Sequence, residues 1–366
     1  MKLRVNRTAL LDALLMVDNV VPSRSPKPVL LGVMLYTDGD ALRVFGTDLD
    51  ISVDCGVSGA EVLEDGRLVV QADRITGIFR ESADEVLSLE GDQQKCVITG
   101  SDCRYKVYCL DIDQYPAVAR PSRPAGLELG LDDFKQACRQ VVFAAAKESS
   151  RYAINGILFE LKGKKLALVA TDGRRLARRR LSVTVSGDSP FSQQRVIVPP
   201  KALALVERMD DGDVVNIGLD GSRIVISSGE IVITSNLVEG TFPKYEDIIP
   251  TDYPRRFQIS TSALASAVRR AALLTTEQAK GIKMSLANDM MVLSSRAPEA
   301  GDAEVRLPVP GVGEPLDIGF NPQYLLEPLR LVASETVQME LGEPDRPAII
   351  KAEPDFLYVV MPINLG

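Results

Sequence analysis

Apolar and polar residues follow a pattern that occurs three times along this chain. Each occurrence opens with a short alternating stretch, which predicts a strand, and continues with apolar residues three and four apart, which predicts an amphipathic helix. The openings read LRVNRTALLDALLMVDNVV from Leu3, LELGLDDFKQACRQVVFAAA from Leu127 and FQISTSALASAVRRAALLT from Phe257. A predicted strand that begins with glycine follows each opening, and the first two of these glycines each precede a Thr-Asp pair by 15 residues.

The second half of each segment repeats this plan. A strand, a cap or proline, and a helix are predicted in LVVQADRITGIFRES, VIVPPKALALVERMD and LDIGFNPQYLLEPLRLV. Asp73 and Asn321 are suited to N-caps, and Pro200 and Pro322 lie near the first helical turn, where a missing N–H costs little. Alternating strands follow each helix. The sequence therefore predicts an α+β fold of three tandem repeats, each with two helices packed on antiparallel sheets.

The domain boundaries are predicted where proline, arginine and serine interrupt the alternation, in ARPSRPAG and in IIPTDYPRR. The three predicted domains are 1–122, 123–252 and 253–366.

Composition narrows the function classes. The chain has 366 residues, a formal net charge of −8, no histidine and no tryptophan. Without histidine, the usual general base and the Ser-His and Cys-His nucleophile pairs are missing, and no phosphate-binding G-x-x-x-x-G-K-[ST] loop is present. Five cysteines without a C-x-x-C pair favour a reducing compartment over a disulfide or zinc framework. We expect no signal peptide, no membrane span, no metal and no cofactor.

The segment VATDGRRLARRR, residues 169–180, carries five arginines behind an Asp-Gly turn. Its counterpart in the first repeat, LDISVDCGV, carries acids at alternate positions instead. Because successive strand positions face opposite sides, and because the charge differs between the two copies, we interpret Arg178, Arg179 and Arg180 as a solvated strand face. The two arginines directly behind the turn are a separate question.

Basic residues at helical spacing indicate a second surface. Lys135 and Arg139 are four residues apart, which places them on one helix face. Lys201 and Arg208 are seven apart, with the same expectation. The other predicted helices also carry basic residues: Arg74, Arg80, Arg269 and Arg330. These are either the polar faces of ordinary amphipathic helices or a positive lining inside an acidic chain.

Geometry limits how such a lining can meet DNA. A domain of this length is roughly 35 Å across, so three domains closed edge to edge leave almost no hole and six leave one of about 35 Å. Repeated units whose head-to-tail contact closes form a ring. A homodimer is therefore the smallest ring of this chain that surrounds a duplex.

Throughout its length the sequence resembles the bacterial sliding clamps, the beta subunits of DNA polymerase III. The resemblance is carried, in order, by GTDLD, RYAINGILFE, VATDGRRLA, VIVPPKAL, LVEGTFPKY and the terminal YVVMPINL. It implies a non-catalytic processivity factor: a six-domain ring, formed as a homodimer, that encircles double-stranded DNA without sequence specificity. It also implies polymerase subunits, the clamp loader and other clamp-binding peptides as partners, and a cytoplasmic, nucleoid-associated location.

The resemblance implies three sets of site residues. A partner-peptide pocket between the second and third domains is expected at Ile154, Thr171, Gly173, Arg174, Arg175, Leu176, Pro243, Ile248, Pro347, Val359, Val360, Met361 and Pro362. The expected DNA-facing residues are Arg24, Arg74, Arg80, Lys135, Arg139, Lys201, Arg208 and Arg269. The expected dimer interface brings Tyr105 and Val107 against Leu273 and Leu274 of the partner subunit.

The pocket residues also make chemical sense on their own. A glycine turn, aliphatic side chains, prolines and a methionine form a preformed apolar slot that suits a short linear peptide. This chain departs from the pattern of the family at Arg174, Asp247 and Asn364. These three departures bear on which peptide sequence the pocket prefers.

Two other function classes remain open from the residues alone. Asp48 with Asp50, and Asp111 with Asp113, have the chemistry of a metal-dependent phosphoryl-transfer enzyme, although aspartate is common in turns for conformational reasons. The second class is a protein-binding scaffold that never meets DNA.

Overall fold

The computed structural model describes residues 1–118, 126–148, 152–186, 189–192 and 194–364. The helices in these ranges are α1 Arg7–Asp18, α2 Ala72–Glu81, α3 Leu131–Val142, α4 Pro200–Val206, α5 Thr261–Ala271 and α6 Pro322–Leu331. None of them is long and apolar enough to cross a membrane. The predicted boundary at 122/123 lies outside the described residues.

The strands fall into three series that follow the predicted repeats. The first series is β1 Lys2–Asn6, β2 Gly32–Asp38, β3 Ala41–Thr47, β4 Ile51–Val57, β5 Glu61–Glu64, β6 Arg67–Gln71, β7 Val86–Gly91, β8 Lys95–Thr99 and β9 Arg104–Leu110. The second is β10 Leu127–Gly130, β11 Ile157–Lys162, β12 Lys165–Thr171, β13 Arg175–Ser182, β14 Thr184–Val185, β15 Val196–Val198, β16 Val214–Asp220, β17 Arg223–Ser228 and β18 Ile231–Asn236. The third is β19 Arg255–Ser260, β20 Ile282–Ala287, β21 Met290–Ala297, β22 Gly301–Pro308, β23 Leu316–Phe320, β24 Thr336–Leu341, β25 Ala348–Ala352 and β26 Phe356–Val360.

The order of the elements confirms the predicted repeat. Each series begins with one strand and a helix, continues with three antiparallel strands, and reaches a further strand, a second helix and three closing strands; the first two series have one additional short strand, β5 or β14, before that further strand. Asn321 caps α6 as predicted, because its side chain accepts a hydrogen bond from the Gln323 N–H at 2.9 Å. The fold is therefore α+β with three tandem clamp-like domains.

The first compact unit comprises 1–134, 183–193 and 201–237. It contains one antiparallel sheet of 14 strands in the order β14-β10-β16-β17-β18-β4-β3-β2-β6-β9-β8-β7-β1-β5. Helix α1 packs on α2, β3 and β4, and its buried side chains include Leu10, Leu14 and Val17. Within this sheet, β4 of the first repeat pairs with β18 of the second.

The second compact unit comprises 135–182, 194–200 and 238–366. It contains an eight-stranded sheet in the order β15-β11-β12-β13-β26-β25-β24-β19 and a four-stranded sheet in the order β22-β21-β20-β23. Helix α5 packs on α6, β21 and β22. Here β13 of the second repeat pairs with β26 of the third.

Two helix ends differ from the expectations. Helix α2 takes Gln71 as its N-cap and carries Asp73 in its first turn. Helix α4 ends at Val206, and Arg208 lies in the turn beyond it, where its N–H bonds to the carbonyl of Leu205 at 3.0 Å. A seven-residue spacing from α4 therefore does not place Arg208 on a continuous helix face.

The interpretation of the arginine run as a solvated face was wrong in part. Arg179 is buried, with 3% of its surface exposed, whereas Arg178 and Arg180 are half-buried. Strand β13 lies between β12 and β26 in the middle of its sheet, so both of its faces are covered to some extent. The alternation itself places Arg179 on the same face as the buried Leu181.

Candidate peptide-binding site

The turn between β12 and β13 is fixed by its own side chains. Thr171 Oγ1 donates to the Arg175 carbonyl at 2.6 Å and accepts the Gly173 N–H at 3.1 Å. The Asp172 carboxylate accepts the N–H groups of Arg174 at 2.9 Å and Arg175 at 3.1 Å. Gly173 has a φ of 85°, which glycine adopts without steric cost. The turn therefore holds its shape and presents Arg174 to solvent.

Arg175 supports this turn from inside. Its Nε donates to Asp172 at 3.0 Å, its Nη2 donates to the Phe143 carbonyl at 2.9 Å, and its Nη1 is ion-paired with Glu327 of α6. The guanidinium also lies over the Tyr324 ring, 4.5 Å from its centroid. The side chain is only 10% exposed. Because its donors are committed to the protein, Arg175 positions the wall of the site.

Strand β26 provides an apolar wall beside the turn. Leu176 is opposite Val359 in the ladder, and the Met361 N–H donates to the Arg174 carbonyl at 2.9 Å. Leu176 and Val359 are buried, while Met361 is 37% exposed. A partly exposed methionine above buried aliphatic residues gives an adaptable apolar surface.

An apolar cluster lies beneath these strands. Its buried members include Leu176, Val359, Phe242, Tyr245 and Tyr253, and Ile154 packs against it. Both tyrosines belong to the segment that connects the second and third repeats. The Tyr253 hydroxyl donates to the Pro347 carbonyl, which ties this segment to the loop before β25.

A buried carboxylate fixes the same connecting segment. Glu160, 3% exposed, accepts the Tyr245 hydroxyl at 2.7 Å and is ion-paired with Lys162 at 3.1 Å. Burial, together with the Glu160 carboxylate, raises the pKa of Tyr245 above its usual range. Pro243 and Ile248 flank this anchor, and Ile248 is 41% exposed. A fixed segment with an exposed aliphatic residue is suited to form a rim.

The expected pocket residues all lie in the second compact unit. A cavity of about 600 Å³ adjoins the end of β26, with Met361, Pro362, Ile363 and Asn364 in its lining. Sequence reasoning missed the residues that hold Arg175, namely Phe143, Tyr324 and Glu327. Only the three-residue spacing of Tyr324 and Glu327, which places both on one face of α6, is visible in the sequence.

The residues expected to face DNA are mostly exposed. Lys135 is half-buried, and the others are exposed: Arg24, Arg74, Arg80, Arg139, Lys201, Arg208 and Arg269. Lys201 has a close anionic partner, since its Nζ lies 2.5 Å from the Asp48 carboxylate. Arg208 lines a cavity of about 640 Å³ that also contains Asp210 and Asp211.

Of the residues expected at the dimer interface, Tyr105 and Leu273 are exposed, and Val107 and Leu274 are half-buried. On β9, Tyr105 is 39% exposed and the neighbouring Tyr108 is 74% exposed. In the 3-10 helix Ala272–Leu274, Leu273 is 77% exposed. Large apolar side chains with this exposure are typical of interaction surfaces.

The aspartate pairs considered for catalysis serve the backbone. Asp48 Oδ1 accepts the N–H groups of Asp50 at 3.1 Å and Ile51 at 2.8 Å. Asp111 accepts the Asp113 N–H at 3.0 Å. Both are turn-stabilising arrangements.

Among the described residues, one group has the spacing of metal ligands: Asp84, Asp102 and Cys103. The Asp84 carboxylate already accepts the Ser101 hydroxyl at 2.6 Å and the Ser101 N–H at 2.9 Å. These hydrogen bonds lower the pKa of Asp84 and make it a loop-fixing residue.

Three tandem α+β domains, in which each of the first two shares a sheet with the next, define the class of clamp-like proteins. Sequence profiles of the DNA polymerase III beta subunit match the chain in three consecutive parts. The N-terminal domain matches residues 1–119, the central domain 128–244 and the C-terminal domain 246–364.

Individual relatives agree with these profiles. The beta sliding clamp of Pseudomonas putida is 31% identical over the whole of both chains. The solved DNA polymerase III subunit beta of Pseudomonas aeruginosa has a TM-score of 0.91 at 31% identity, with all of both chains covered. A sliding clamp of Bartonella birtlesii, solved bound to griselimycin, has a TM-score of 0.91 at 29% identity and covers 100% of this chain and 99% of that one.

This chain belongs to the family of bacterial beta sliding clamps, the beta subunits of DNA polymerase III. The family is a non-catalytic processivity factor, so the metal-dependent enzyme is not the function of this protein. A bacterial DNA replication clamp implies a cytoplasmic location.

Proposed function

We propose that two copies of this chain close into a ring that encircles double-stranded DNA and associates with the nucleoid. The ring holds polymerase subunits, the clamp loader and other proteins through peptides bound at the pocket beside β26. The domains meet at the predicted boundaries of 1–122, 123–252 and 253–366. The observation that carries the ring is the way in which successive repeats share their sheets.

Each repeat pairs with the next through equivalent strands. The strand that follows the Thr-Asp turn is β4 in the first repeat and β13 in the second. It pairs with the last strand of the next repeat, β18 in one case and β26 in the other. Both contacts are antiparallel and five residue pairs long. The same head-to-tail contact is thus used twice within one chain.

The equivalent strands that remain are β22 in the third repeat and β9 in the first. In the described part of the chain β22 pairs with β21 alone, and Arg104–Tyr108 of β9 pair with β8 alone. Each therefore offers a free edge, and unpaired edges recruit another strand. Pairing β22 with β9 of a second copy continues the rule, and two such contacts close a six-domain ring.

The residues expected at the dimer interface belong to these edges. Tyr105 and Val107 are part of β9 itself, and the 3-10 helix that contains Leu273 and Leu274 packs against β22. Their apolar surface supports a contact that is buried in the dimer. The strand edge supplies backbone hydrogen bonds, and the side chains supply the apolar area.

In such a ring the protein stays on the DNA because it surrounds the duplex, and tight binding to the duplex is not needed. The exposed basic residues on α2, α3 and α5 then face phosphates without reading bases, and direct binding to DNA is weak and strongly dependent on salt. Because the duplex is held topologically, retention depends on the ends of the DNA and only weakly on its sequence.

Retention on DNA tests the proposal. The protein is loaded onto nicked circular DNA by a clamp loader, and half of the sample is linearised before gel filtration. We expect the protein to stay with the circles and to leave the linear DNA. Equal retention on both forms would contradict a topological link.

The interface is tested separately with Leu273→Asp, with Arg270→Asp as a matched control on an exposed neighbouring position. At micromolar concentration the native chain and the control are expected to have about twice the monomer mass of 39.8 kDa, and Leu273→Asp to have the monomer mass. A native chain that is monomeric at this concentration would rule out the ring.

A further inference from the structure

The first helices of the three repeats correspond position by position, and they differ at one exposed position. Helices α1 and α3 begin and end at equivalent residues of their repeats, Arg7–Asp18 and Leu131–Val142. In this register Leu15 of α1 corresponds to Arg139 of α3 and to Arg269 of α5. All three residues are exposed. Helix α1 therefore presents an aliphatic side chain where its two counterparts present a cation.

A second exchange lies on β4, against which α1 packs. Cys55 of β4 takes the position that Arg179 has on β13, because each is opposite the first residue of the partner strand, β18 or β26. Both side chains are buried, with 2% of Cys55 and 3% of Arg179 exposed. The same frame thus encloses a guanidinium at the second junction and only a small thiol at the first. A smaller side chain on the same frame leaves room at the first junction.

A cavity of about 640 Å³ lies at this place, entirely within the first compact unit. Its apolar lining includes the buried Ala13 and Met16 of α1 and the buried Ile231 of β18, and Leu15 lies beside them. The cavity adjoins the ends of β4 and β18 that are remote from the Thr-Asp turn. Its volume is within the range of small-molecule sites, and its lining offers a surface on which an aliphatic stem can pack.

Four acids line the cavity: Asp12, Asp210, Asp211 and Glu230. Two of them have partners, since Glu230 is ion-paired with Arg43 at 2.8 Å and the Glu230 N–H donates to the Asp211 carboxylate at 2.6 Å. The side chains of Asp12 and Asp210 have neither a hydrogen bond nor an ion pair in the described ranges. Two carboxylates are thus left for a ligand.

The negative charge of these acids extends to the buried floor of the cavity. Burial, and then the Asp54 carboxylate, raise the pKa of the Cys55 thiol, and Asp210 adds to the effect. The thiol is therefore protonated, and it makes no hydrogen bond in the described part of the chain. Its sulfur can accept a weak hydrogen bond from a donor. Arg208 is the cation of the lining and is exposed, so the four acids leave the cavity with a net negative charge.

We propose that this cavity binds the arginine side chain of a partner protein. The carboxylates of Asp12 and Asp210 complement its charge, and Leu15 and Met16 contact its aliphatic stem. Arginine fits better than lysine because its planar guanidinium is weakly hydrated and donates to several acceptors at once. The second repeat, moreover, encloses an arginine on the same frame. The first repeat has this frame without the arginine, so the partner supplies it.

The test uses an arginine probe, N-acetyl-arginine amide, together with its neutral isostere N-acetyl-citrulline amide and with N-acetyl-lysine amide. Binding to the full chain is followed by NMR of ¹³C-labelled methionine methyl groups at constant ionic strength. Met16 lines the cavity, and its signal is assigned with Met16→Leu. Met361 belongs to the second compact unit and is the internal control, because it reports on the candidate peptide site.

We expect the arginine probe to shift the Met16 signal saturably and to leave the Met361 signal in place. The citrulline probe is expected to bind about tenfold more weakly, because it has the shape of arginine without the charge. The lysine probe is expected to bind about threefold more weakly, because an ammonium is more strongly hydrated and lacks the planar fork.

Two variants remove charge at positions without a partner in the described ranges. Asp12→Asn and Asp210→Asn are each expected to weaken binding of the arginine probe about threefold to fivefold, as for one partly exposed charge pair. Asp18→Asn is the matched control on α1, since Asp18 is exposed and lies outside the lining, and it is expected to leave the affinity unchanged. Leu15→Arg gives α1 the residue of the other two repeats and is also expected to weaken binding, because it adds a cation at the cavity.

Four outcomes would overturn the inference. A Met16 signal that does not shift would mean that the probe does not enter the cavity. Equal affinities for the arginine and citrulline probes would show that charge is not recognised, and equal affinities for the arginine and lysine probes would contradict the preference for arginine. Binding that occurs only in Arg208→Gln would show that Arg208 of the same chain fills the cavity. None of these results bears on the ring or on the peptide pocket, which Met361 reports separately.

Discussion

The same turn occurs at two domain junctions of this protein and has a different role at each. Thr47 to Ile51 and Thr171 to Arg175 have matching hydrogen bonds. The residue at the tip has a φ of 85° in both turns, although it is Leu49 in one and Gly173 in the other. The carbonyl of the next residue accepts an N–H from the following repeat in both cases, at 2.8 and 2.9 Å.

The two junctions differ in the strand end that meets the turn. At the first junction β18 ends in Thr234, Ser235 and Asn236, and Asn236 Nδ2 donates to the Asp50 carboxylate at 3.2 Å. At the second junction β26 ends in Val359 and Val360, with Met361 directly behind. Equivalent backbones thus carry a polar strand end at one junction and an apolar strand end at the other.

This difference shows how a junction between two repeats can also become a binding site. At the first junction, the polar groups satisfy one another, and Lys201 bonds to Asp48. At the second, the comparable ionic network lies beneath the turn, around Arg175, and leaves Met361 at the strand end partly exposed above the buried Leu176 and Val359. An apolar surface that its own chain leaves uncovered is what a peptide can bury. The candidate site therefore results from side-chain substitution on a repeated frame.

The largest change in the free energy of unfolding is expected at the position where the two turns differ most in charge. Ile51 is the counterpart of Arg175, so Arg175→Ile gives the second turn the chemistry of the first. The substitution leaves Asp172 and Glu327 without their cation, and removing one partner of a buried pair costs about 3–5 kcal/mol. Urea unfolding is expected to show a loss of this size, and Arg174→Ile, at an exposed position, a change within about 0.5 kcal/mol. A loss below about 1 kcal/mol for Arg175→Ile would show that the network does not stabilise the junction.

Substitution of the residue at the tip of the turn is expected to change the free energy of unfolding by a smaller amount. No atom lies within 4 Å of a Cβ added to Gly173, so Gly173→Leu tests the backbone alone. A leucine in the left-handed region costs about 1–2 kcal/mol, and the free energy of unfolding should fall by that amount. Leu49→Gly is the reverse exchange, and its change is expected within about 0.5 kcal/mol because relief of strain is offset by the greater freedom of the unfolded chain. No loss for Gly173→Leu would mean that this turn tolerates any residue.

The strand end is expected to control binding more than stability. Met361→Asn gives the second junction the residue of the first, and the loss of apolar contact should weaken the binding of a synthetic peptide with an apolar core about tenfold, since about 1.4 kcal/mol corresponds to that factor. Met361 is partly exposed, so the unfolding midpoint should change little. Asn236→Met is the control, and no peptide affinity is expected to be gained at the first junction, because Lys201 and Asp48 still occupy it. Unchanged affinity in Met361→Asn would place the peptide elsewhere.

The sequence predicted the repeated frame because periodic burial is a local property. Alternation identified the strands, and equal spacings identified the copies, including both Thr-Asp turns. Arg179 was misread even though its position was visible, since it shares a face with Leu181 and the density of arginines was given more weight than the alternation. The burial of a strand in the middle of a sheet depends on which strands flank it, and β26 lies far along the chain from β13.

The partners of Arg175 were not predictable on the same grounds. Phe143 and Glu327 reach it from 32 and 152 residues away, and neither the spacing nor the composition of those segments marks them. The pocket residues themselves came from resemblance to a family. Sequence patterning alone indicates a Gly turn and an apolar terminal strand, and only the sheet register brings them together.

The smallest expected effect concerns Lys201, whose bond to Asp48 belongs to the first junction. This exposed ion pair is worth about 0.5 kcal/mol, so Lys201→Ala should barely change unfolding. The effect of the substitution on DNA binding is the more sensitive test. A lysine already neutralised by a carboxylate releases fewer counterions than Lys135, which has no such partner among the described residues, and each phosphate contact contributes about 0.9 to the salt slope of binding. We therefore expect Lys135→Ala to reduce the slope of log K against log salt more than Lys201→Ala does, in titrations of a short duplex. Equal reductions would mean that DNA displaces Asp48, and that the first junction, too, opens to a ligand.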